Sequence, residues 1–277
     1  MATDLTKKHA DWAHYTSHPK IGVQLLNAHF LMHKFERHSH SEFSIGVTHS
    51  GVQSYRANGA VHHSQPQNMM VFNPYVAHDG MAGHATGFGY QMVYVEPALV
   101  ASWCSDYFAD HAIRYIRKPL MQNVDCSVQL HRAFIALQQP QESLRAYNLL
   151  SQSVLQLLSR HGNAGNAQTL FHDMPPWIRT AQDYTQAHYA QDVTADDMAA
   201  VAGVSRIHFN RVFTQAVGTP PHVYLNTIRV RHAQQLLRQG QSAIDVASNV
   251  GFADQSHLIR RFKGYVELTP KQWQKLS

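Results

Sequence analysis

The sequence predicts an α+β chain of two domains. A β-barrel with two helices at its C-terminal end is followed by an all-α domain with two helix-turn-helix units. Three observations support this prediction: short strands fill residues 22–96, a helical pattern runs from 128 to 160, and one helical unit occurs twice after residue 176. A chain of 277 residues, with 44% hydrophobic and 15% charged residues, is long enough for two such cores.

The N-terminal strands are predicted from alternating apolar residues with turn residues between them. Gly or Asn-Pro separates four segments of this kind, at 43–48, 52–56, 69–72 and 89–95. Several short strands at this spacing are typical of a small sandwich or barrel.

The next part of the chain has the apolar spacing of helices. Leu150, Val154 and Leu157 belong to a stripe that recurs every three or four residues between 128 and 160. The segment HGNAGNAQTLFHDMPP, residues 161–176, is rich in Gly, Asn and Pro and predicts a linker. We therefore expect one domain at 1–160 and a second at 177–277.

Charge and cysteine content limit the possible classes of protein. Residues 175–277 contain 11 Lys and Arg against 7 Asp and Glu, whereas residues 1–174 contain 12 against 11. This basic excess favours a polyanionic partner for the C-terminal domain without requiring one. Cys104 and Cys126 form no CxxC pair, and no apolar run is long enough for a signal peptide or a membrane span. We expect a cytoplasmic protein with reduced thiols and no membrane partner.

A repeated unit dominates the C-terminal domain. Residues 198–213, MAAVAGVSRIHFNRVF, recur as residues 246–262, VASNVGFADQSHLIRRF. Each copy has a short apolar helix, a Gly that allows a sharp reversal, a polar N-cap and a second helix. Phe209 and Phe213 lie four residues apart and can pack inward, which leaves the other face outward. Residues 221–238 predict one helix, about 25 Å long, between the two units.

The outer face of each second helix has residue types that recognise base edges. In the major groove Arg pairs with guanine, Asn and Gln pair with adenine, and an apolar side chain contacts the thymine methyl group. Lysines supply phosphate contacts. We predict that these residues bind double-stranded DNA: Arg206, Ile207, His208, Asn210, Arg211, Gln255, Ser256, His257, Arg260 and Lys263. An ordinary helical bundle with a solvated basic face is the alternative.

The order of motifs in residues 192–276 resembles the DNA-binding domain of the AraC family of bacterial transcription regulators. The resemblance includes the segment GFADQSH and the closing Thr-Pro of LTPKQW. Where the family more often ends the last reading helix with an aromatic residue and Gly, this chain has Tyr265, Val266 and Glu267. The resemblance implies a transcription regulator, more often an activator, that acts on RNA polymerase at the nucleoid.

The N-terminal domain has a shorter resemblance. The segments HSHSE at 38–42 and NPYVAH at 73–78, with Gly51 between them, resemble the degenerate cupin sensor that precedes this DNA-binding domain in many family members. The resemblance covers about residues 20–100. It implies a cupin-like β-barrel that binds a small-molecule effector, with the helices at 128–160 forming a homodimer contact.

Several barrel residues are candidates for the effector site. His38 and His40 lie one residue apart, on one face if both belong to a strand, and His78 could complete a three-His metal site. Glu42 lies closer to His40 than the corresponding Glu does in metal-binding cupins. We therefore expect these four residues to orient an effector by hydrogen bonds or to close the mouth of the barrel, with no metal and no cofactor. A purely structural role is the alternative.

An alternating trio lies on a later strand. Tyr90, Met92 and Tyr94 share one face of that strand and either line the effector cavity or pack in the core.

Catalysis is not expected. The sequence contains no GxSxG, HExxH or phosphate-binding Gly loop. Two alternatives to an effector-responsive regulator remain. One is a metal-dependent cupin enzyme fused to a helical domain, and the other is a constitutive DNA-binding protein whose barrel serves only to dimerise.

Overall fold

The computed structural model describes residues 11–18, 21–164, 175–266 and 268–275, and the chain divides into two compact units. The first unit consists of antiparallel strands with helices against one face. The second unit contains the helices of residues 175–275 and the short segments Phe35–Ser39 and Ala77–Asp79. This confirms the predicted fold class. Within the described residues, no helix combines the length and the apolar character needed to cross a membrane.

Two sheets make up most of the N-terminal unit. The first has the strand order β1-β2-β9-β4-β7-β11, the second has the order β3-β8-β5-β6, and β10 pairs with β12. The strands are β1 (Trp12–His18), β2 (Val23–Phe30), β3 (Lys34–His38), β4 (Phe43–Gly51), β5 (Gln53–Ala57), β6 (Ala60–Ser64), β7 (Asn68–Phe72), β8 (His78–Ala82), β9 (Phe88–Val95), β10 (Arg114–Ile116), β11 (Leu120–Gln122) and β12 (Gly162–Ala164). The sheets contact each other where the rings of Tyr55 on β5 and Phe72 on β7 lie 5.3 Å apart.

Three α-helices cover one face of the six-stranded sheet. They are α1 (Pro97–Tyr107), α2 (Val124–Leu137) and α3 (Ser143–His161), with a 3-10 turn at Pro140–Glu142 between the last two. The Asn123 side chain caps α2 by accepting a hydrogen bond from the backbone N–H of Cys126 at 3.1 Å. Sheet residues such as Leu25, Ile45 and Val93 form one buried core with Phe134 and other helix residues.

The opposite face of the same sheet carries the alternate side chains. Leu26, Tyr90 and Met92 therefore point away from the three helices, and all are buried. Gly46 on β4 makes room there, because a Cβ atom at this position would lie 2.8 Å from the Met92 Sδ atom and 2.5 Å from a backbone oxygen. This face is the inner wall of the barrel.

The sequence predicted part of this architecture. The four predicted strands are present as β4, β5, β7 and β9, and the helical region at 128–160 is present as α2 and α3. The strands β2, β3, β6 and β8 lie within the predicted strand region 22–96 but were not predicted individually. The strands β1, β10 and β11 and the helix α1 were not predicted. Residues 162–164 of the predicted linker pair with β10 as β12, whereas residues 165–174 lie outside the described residues.

The C-terminal unit contains the two predicted helix-turn-helix units. Its helices are α4 (Pro176–His188), α5 (Ala195–Val201), α6 (Arg206–Val217), α7 (Pro221–Arg238), α8 (Ala243–Asn249), α9 (Gln255–Val266) and α10 (Pro270–Gln274). Thr194 and Asp197 form a capping box at the start of α5, and the side chains of Ser205 and Ser242 cap α6 and α8. Gly218 ends α6 in the left-handed conformation with φ 80°, which favours glycine. Polar capping residues thus lie where these helices begin, and a glycine lies where α6 ends.

The long helix α7 carries both halves of this unit. Its residues Tyr224, Leu225 and Ile228 belong to the core of the first half, around Phe209 and Phe213. Further along, the carbonyl oxygen of Gln234 accepts a hydrogen bond from the Trp273 indole N–H at 3.1 Å, and Trp273 packs on Phe262 in the second half. The two helix-turn-helix units are therefore built on one shared helix.

An arginine fixes the first half onto α7. Arg229 is 8% exposed, and its guanidinium donates hydrogen bonds from Nε to the carbonyl of Tyr189 at 2.8 Å and from Nη2 to the carbonyl of Gln191 at 2.7 Å. Tyr189 is the C-terminal cap residue of α4, and Gln191 lies between α4 and α5. Arg229 therefore stabilises the fold of the helical unit. A count of Lys and Arg residues in the sequence does not distinguish such an arginine from one that contacts DNA.

Candidate nucleic-acid interface and barrel site

The helix α6 presents a polar face outward because its aromatic residues are buried. Phe209 and Phe213 are fully buried, with ring centroids 5.1 Å apart. The sequence-predicted residues on the other side are exposed, except for Asn210, which is half-buried: Arg206, Ile207, His208 and Arg211. Four of the five predicted DNA-binding residues of this unit are thus exposed to solvent on α6.

The helix α9 has the same arrangement in the second unit. Leu258 and Phe262 are fully buried, and the remaining predicted residues face solvent: Gln255, Ser256, Arg260 and Lys263. His257 is half-buried, because its ring lies 5.1 Å from the ring of Phe252. Asp254 caps the helix by accepting a hydrogen bond from the backbone N–H of His257 at 2.7 Å.

The cations on these two helices differ in their surroundings. Arg206 forms an ion pair with Asp196 of α5, with 2.9 Å between Nη1 and Oδ2. Arg211 and Arg260 are exposed and form no ion pair with any residue that the structure describes. Their guanidinium groups are available to an external hydrogen-bond acceptor without first breaking an ion pair.

The environment of His257 disfavours its protonated form. Partial burial lowers the pKa of His257 below its usual value, and the neighbouring cations of Arg261 and Arg260 lower it further. A phosphate group near this imidazole would act in the opposite direction, since a nearby anion favours the protonated form.

One contact at the first unit was missed by sequence analysis. Trp177, at the start of α4, lies with its ring 5.9 Å from the rings of both His208 and Phe209. Trp177 therefore packs against α6. A single tryptophan next to two prolines gives no local signal for this role, because the partner helix lies about thirty residues away in the chain.

The structure brings three of the sequence-predicted histidines together. Ring nitrogen atoms of His38, His40 and His78 lie within 4.8 Å of one another, and His38 and His78 are buried while His40 is half-buried. The expectation that His38 and His40 share one strand is wrong: His38 ends β3, and His40 lies in the segment after it. His78 begins β8, which belongs to the same sheet as β3.

The tautomer of His38 follows from its hydrogen bond. Its Nδ1 atom lies 2.6 Å from the carbonyl oxygen of Glu36, so Nδ1 carries the proton and Nε2 has the lone pair. Burial lowers the pKa of His38, against the opposing effect of that hydrogen bond. A neutral imidazole with Nδ1 protonated has its acceptor at Nε2.

A metal ion fits this cluster only after some movement. Imidazole nitrogens on a tetrahedral ion lie about 2.1 Å from it and so about 3.4 Å from each other. The separations of up to 4.8 Å in the cluster require the rings to approach by as much as about 1.4 Å. Glu42 does not belong to the cluster and accepts a hydrogen bond from the Ser41 hydroxyl at 2.7 Å.

The alternating trio on β9 lies on the inner wall of the barrel. Tyr90 and Met92 are buried, and the Tyr90 ring lies 6.4 Å from Phe30 and 5.9 Å from Phe88. Tyr94 is half-buried, and its ring lies 5.0 Å from that of His40. The predicted residues thus separate into an apolar part around Tyr90 and a polar part where Tyr94 meets the histidines. Phe30 was missed because the strand β2 was not predicted, and Phe88 was missed because it lies one residue before the predicted strand at 89–95.

Comparison with protein-family models gives two matches along the chain. Residues 20–159 match the family described as "AraC-like ligand binding domain", which is half of the chain, and residues 198–276 match a "Helix-turn-helix domain".

Two similar proteins illustrate the extent of the likeness. The uncharacterized HTH-type transcriptional regulator YbfI of Bacillus subtilis is 26% identical over 240 residues, which are 87% of this chain and 87% of that protein. An HTH-type transcriptional regulator of Haemophilus influenzae is 36% identical over 81 residues, which are 29% of this chain and 27% of that protein.

Solved structures share the fold over most of the chain. ToxT from Vibrio cholerae O395 superposes with a TM-score of 0.60 and 10% identity, covering 92% of this chain and 98% of that one. Wild-type ToxT with a bound unsaturated fatty acid superposes with a TM-score of 0.59 and 10% identity, covering 92% and 94%. At this identity the comparison supports the two-domain fold alone.

Proposed function

Since the chain belongs to the AraC family of transcriptional regulators, with a ligand-binding domain and a DNA-binding domain, we propose that it recognises a specific operator and responds to a small-molecule effector bound in its barrel. We further propose that it activates transcription at chromosomal DNA in the cytoplasm, by contact with RNA polymerase. The activator role is supported by family resemblance alone.

One observation carries the DNA-binding proposal. Arg211 and Arg260 occupy the same position of the two repeated units, and both are exposed and unpaired within the described part of the chain. An arginine on the outer face of a reading helix can donate two hydrogen bonds to the O6 and N7 atoms of guanine. The helix α7 has 18 residues and spans about 27 Å at 1.5 Å per residue, a length that suits two consecutive major grooves about 34 Å apart.

Selection from a random pool of double-stranded DNA tests this proposal. The full chain should enrich two short sequence boxes about one helical turn apart. The selection is repeated with a metabolite extract, which should change the affinity or the yield if an effector acts on the protein. A pool in which no sequence is enriched under either condition would contradict operator recognition.

The inner wall of the barrel supports an effector with an apolar body and a polar group. Phe30, Phe88 and Met92 supply apolar surface, and Tyr94 and His40 supply hydrogen-bonding groups at one end. A structure of the same fold contains an unsaturated fatty acid, which has both parts. Thermal-shift measurements with fatty acids, matched alcohols and short carboxylates test this chemistry. A flat profile in every series would favour a barrel that serves only to dimerise.

A metal-dependent enzyme is the second candidate, and the cluster of His38, His40 and His78 is the observation that favours it. Three imidazoles suit zinc, iron, copper or nickel. Metal analysis of the purified full chain, before and after incubation with zinc or iron, distinguishes the two functions. Stoichiometric metal that is lost in the His78→Ala variant would favour the enzyme, and a protein without metal after incubation would favour the regulator.

We propose that α2 and α3 form the contact of a homodimer. Val128 and Ile135 lie seven residues apart on one face of α2, and Leu144 lies at the start of α3, and all three are exposed apolar residues. Sedimentation of the full chain and of an Ile135→Asp variant tests this contact. A monomeric variant is expected, with Tyr107→Asp, at an exposed residue of α1, as the matched control.

The proposed domain boundary has its own test. A fragment of residues 175–277 should bind the selected operator, because the buried residues of the helical unit form their own core around Phe209 and Phe213. An unfolded fragment, measured by circular dichroism, would count against the boundary in 161–176.

A further inference from the structure

The first turn of α6 carries an apolar side chain in open solvent. Ile207 is 84% exposed, although an isoleucine gains free energy from burial. It lies four residues before Arg211 and therefore on the same face of the helix, opposite to the buried Phe209. Single exposed apolar residues are common, so the exposure needs support from position and surroundings.

The internal repeat provides this support. Ser256 of α9 stands where α6 has Ile207, 49 residues earlier in the chain, and both side chains are exposed. The same fold is thus built with a polar residue at this position. Packing within the unit does not require an isoleucine there, so its apolar character is free to serve a bound partner.

The neighbouring cation does not cover this apolar surface. Arg206 is held in its ion pair with Asp196 on α5, at 2.9 Å. The N-terminal residues of a reading helix are the ones that contact base edges in the major groove. The exposed side chain of Ile207 is therefore available for a base contact at the N-terminal end of α6, where this helix would contact DNA.

Thymine is the DNA base that presents a methyl group in the major groove. We infer that Ile207 is a specificity-determining residue that contacts the C5 methyl group of one thymine in the box bound by the first helix-turn-helix unit. This inference rests on the proposed DNA recognition and names the base that this residue selects. The second unit, with Ser256, has no such apolar group at the matching position.

Replacement of thymine by deoxyuridine tests the contact, because this removes the methyl group and keeps base pairing. The operator from the selection experiment is synthesised with each thymine replaced in turn, and binding of the full chain is measured by fluorescence anisotropy at fixed salt. Burial of one methyl group corresponds to about a fourfold change in affinity. We expect one thymine in the first box whose replacement weakens binding by about fourfold.

Two variants assign that effect to a residue. Ile207→Ala should bind the thymine and deoxyuridine operators equally at that position. Ile244→Ala should retain the fourfold difference, because Ile244 is a similarly exposed isoleucine, 65% exposed, on α8 rather than on a reading helix. Both replaced side chains are exposed, so both variants should keep the melting temperature of the parent protein.

Three outcomes overturn the inference. If the selection yields an operator but no thymine replacement changes the affinity, Ile207 has no methyl contact while the regulator function stands. If Ile207→Ala keeps the parent's preference for thymine, another residue reads the methyl group. If no operator is enriched, the inference fails together with the proposed function.

Discussion

Replacement of Arg211 or Arg260 by alanine is the sharpest perturbation of the proposed DNA interface. Both side chains are exposed and unpaired within the described residues, so each change should alter the free energy of unfolding by less than about 0.5 kcal/mol. The loss in binding is larger. One bidentate arginine–guanine pair contributes about 1–3 kcal/mol, or about 5- to 150-fold in Kd.

Arg206 provides an internal comparison. Its ion pair with Asp196 joins two side chains that are each about 60% exposed, and such surface pairs contribute about 0–1 kcal/mol. Arg206 must give up this pair before it can contact DNA. We therefore expect Arg206→Ala to lose up to about 1 kcal/mol less affinity than Arg211→Ala.

The assay compares two duplexes. Affinities of the parent and variants are measured by fluorescence anisotropy for the selected operator and for a scrambled duplex of equal length, at one salt concentration. Arg211→Lys and Arg260→Lys serve as controls, because lysine keeps the charge but cannot form the two parallel hydrogen bonds. Equal losses on both duplexes, restored by lysine, would identify phosphate contacts and refute base recognition by these arginines.

Three further predictions concern the two units separately. Arg229→Ala should destabilise the helical unit by about 2–4 kcal/mol in urea denaturation, because two hydrogen bonds from a charged donor are lost, and an unchanged midpoint would contradict this role. Gly46→Ala should lower the stability of the barrel by about 1–3 kcal/mol, because the new Cβ atom would clash with a backbone oxygen and the Met92 sulfur. A melting temperature equal to that of the parent protein would show that β4 can accommodate the Cβ atom. The pKa of His257 is lowered in the free protein. A phosphate contact that raises this pKa makes DNA binding take up a proton, so affinity should increase as the pH falls through the pKa of His257 in the complex, by at most about tenfold per pH unit. The His257→Gln variant should remove this pH dependence, and its persistence would assign the proton to another group.

The helical unit could be predicted in detail because its signals are local. The bounds of α7 agree with the sequence prediction at both ends, since Pro221 marks the first turn and Gly240 follows the last. Capping residues such as Ser205 act within three residues of their partners. The internal repeat also helps to distinguish buried from exposed positions, because the two copies can be compared residue by residue.

The barrel could be predicted only in outline because strand pairing is a long-range property. The strand β1 has the sequence WAHYTSH and pairs with the next strand, β2. The strand β2 pairs in turn with β9, which lies more than sixty residues later in the chain. Polar and histidine-rich edge strands lack the alternation that marks a strand. The proximity of His78 to His38 likewise depends on the pairing of distant strands.

Comparison of the two repeated units indicates which positions serve folding and which serve recognition. Buried positions keep an apolar side chain in both copies, as at Phe213 and Phe262, because each must fill a core against the shared helix α7. Exposed positions diverge, with Ile207 in one copy and Ser256 in the other. Two units that pack alike but expose different groups would bind two different boxes, so the operator of a single chain should be asymmetric rather than palindromic.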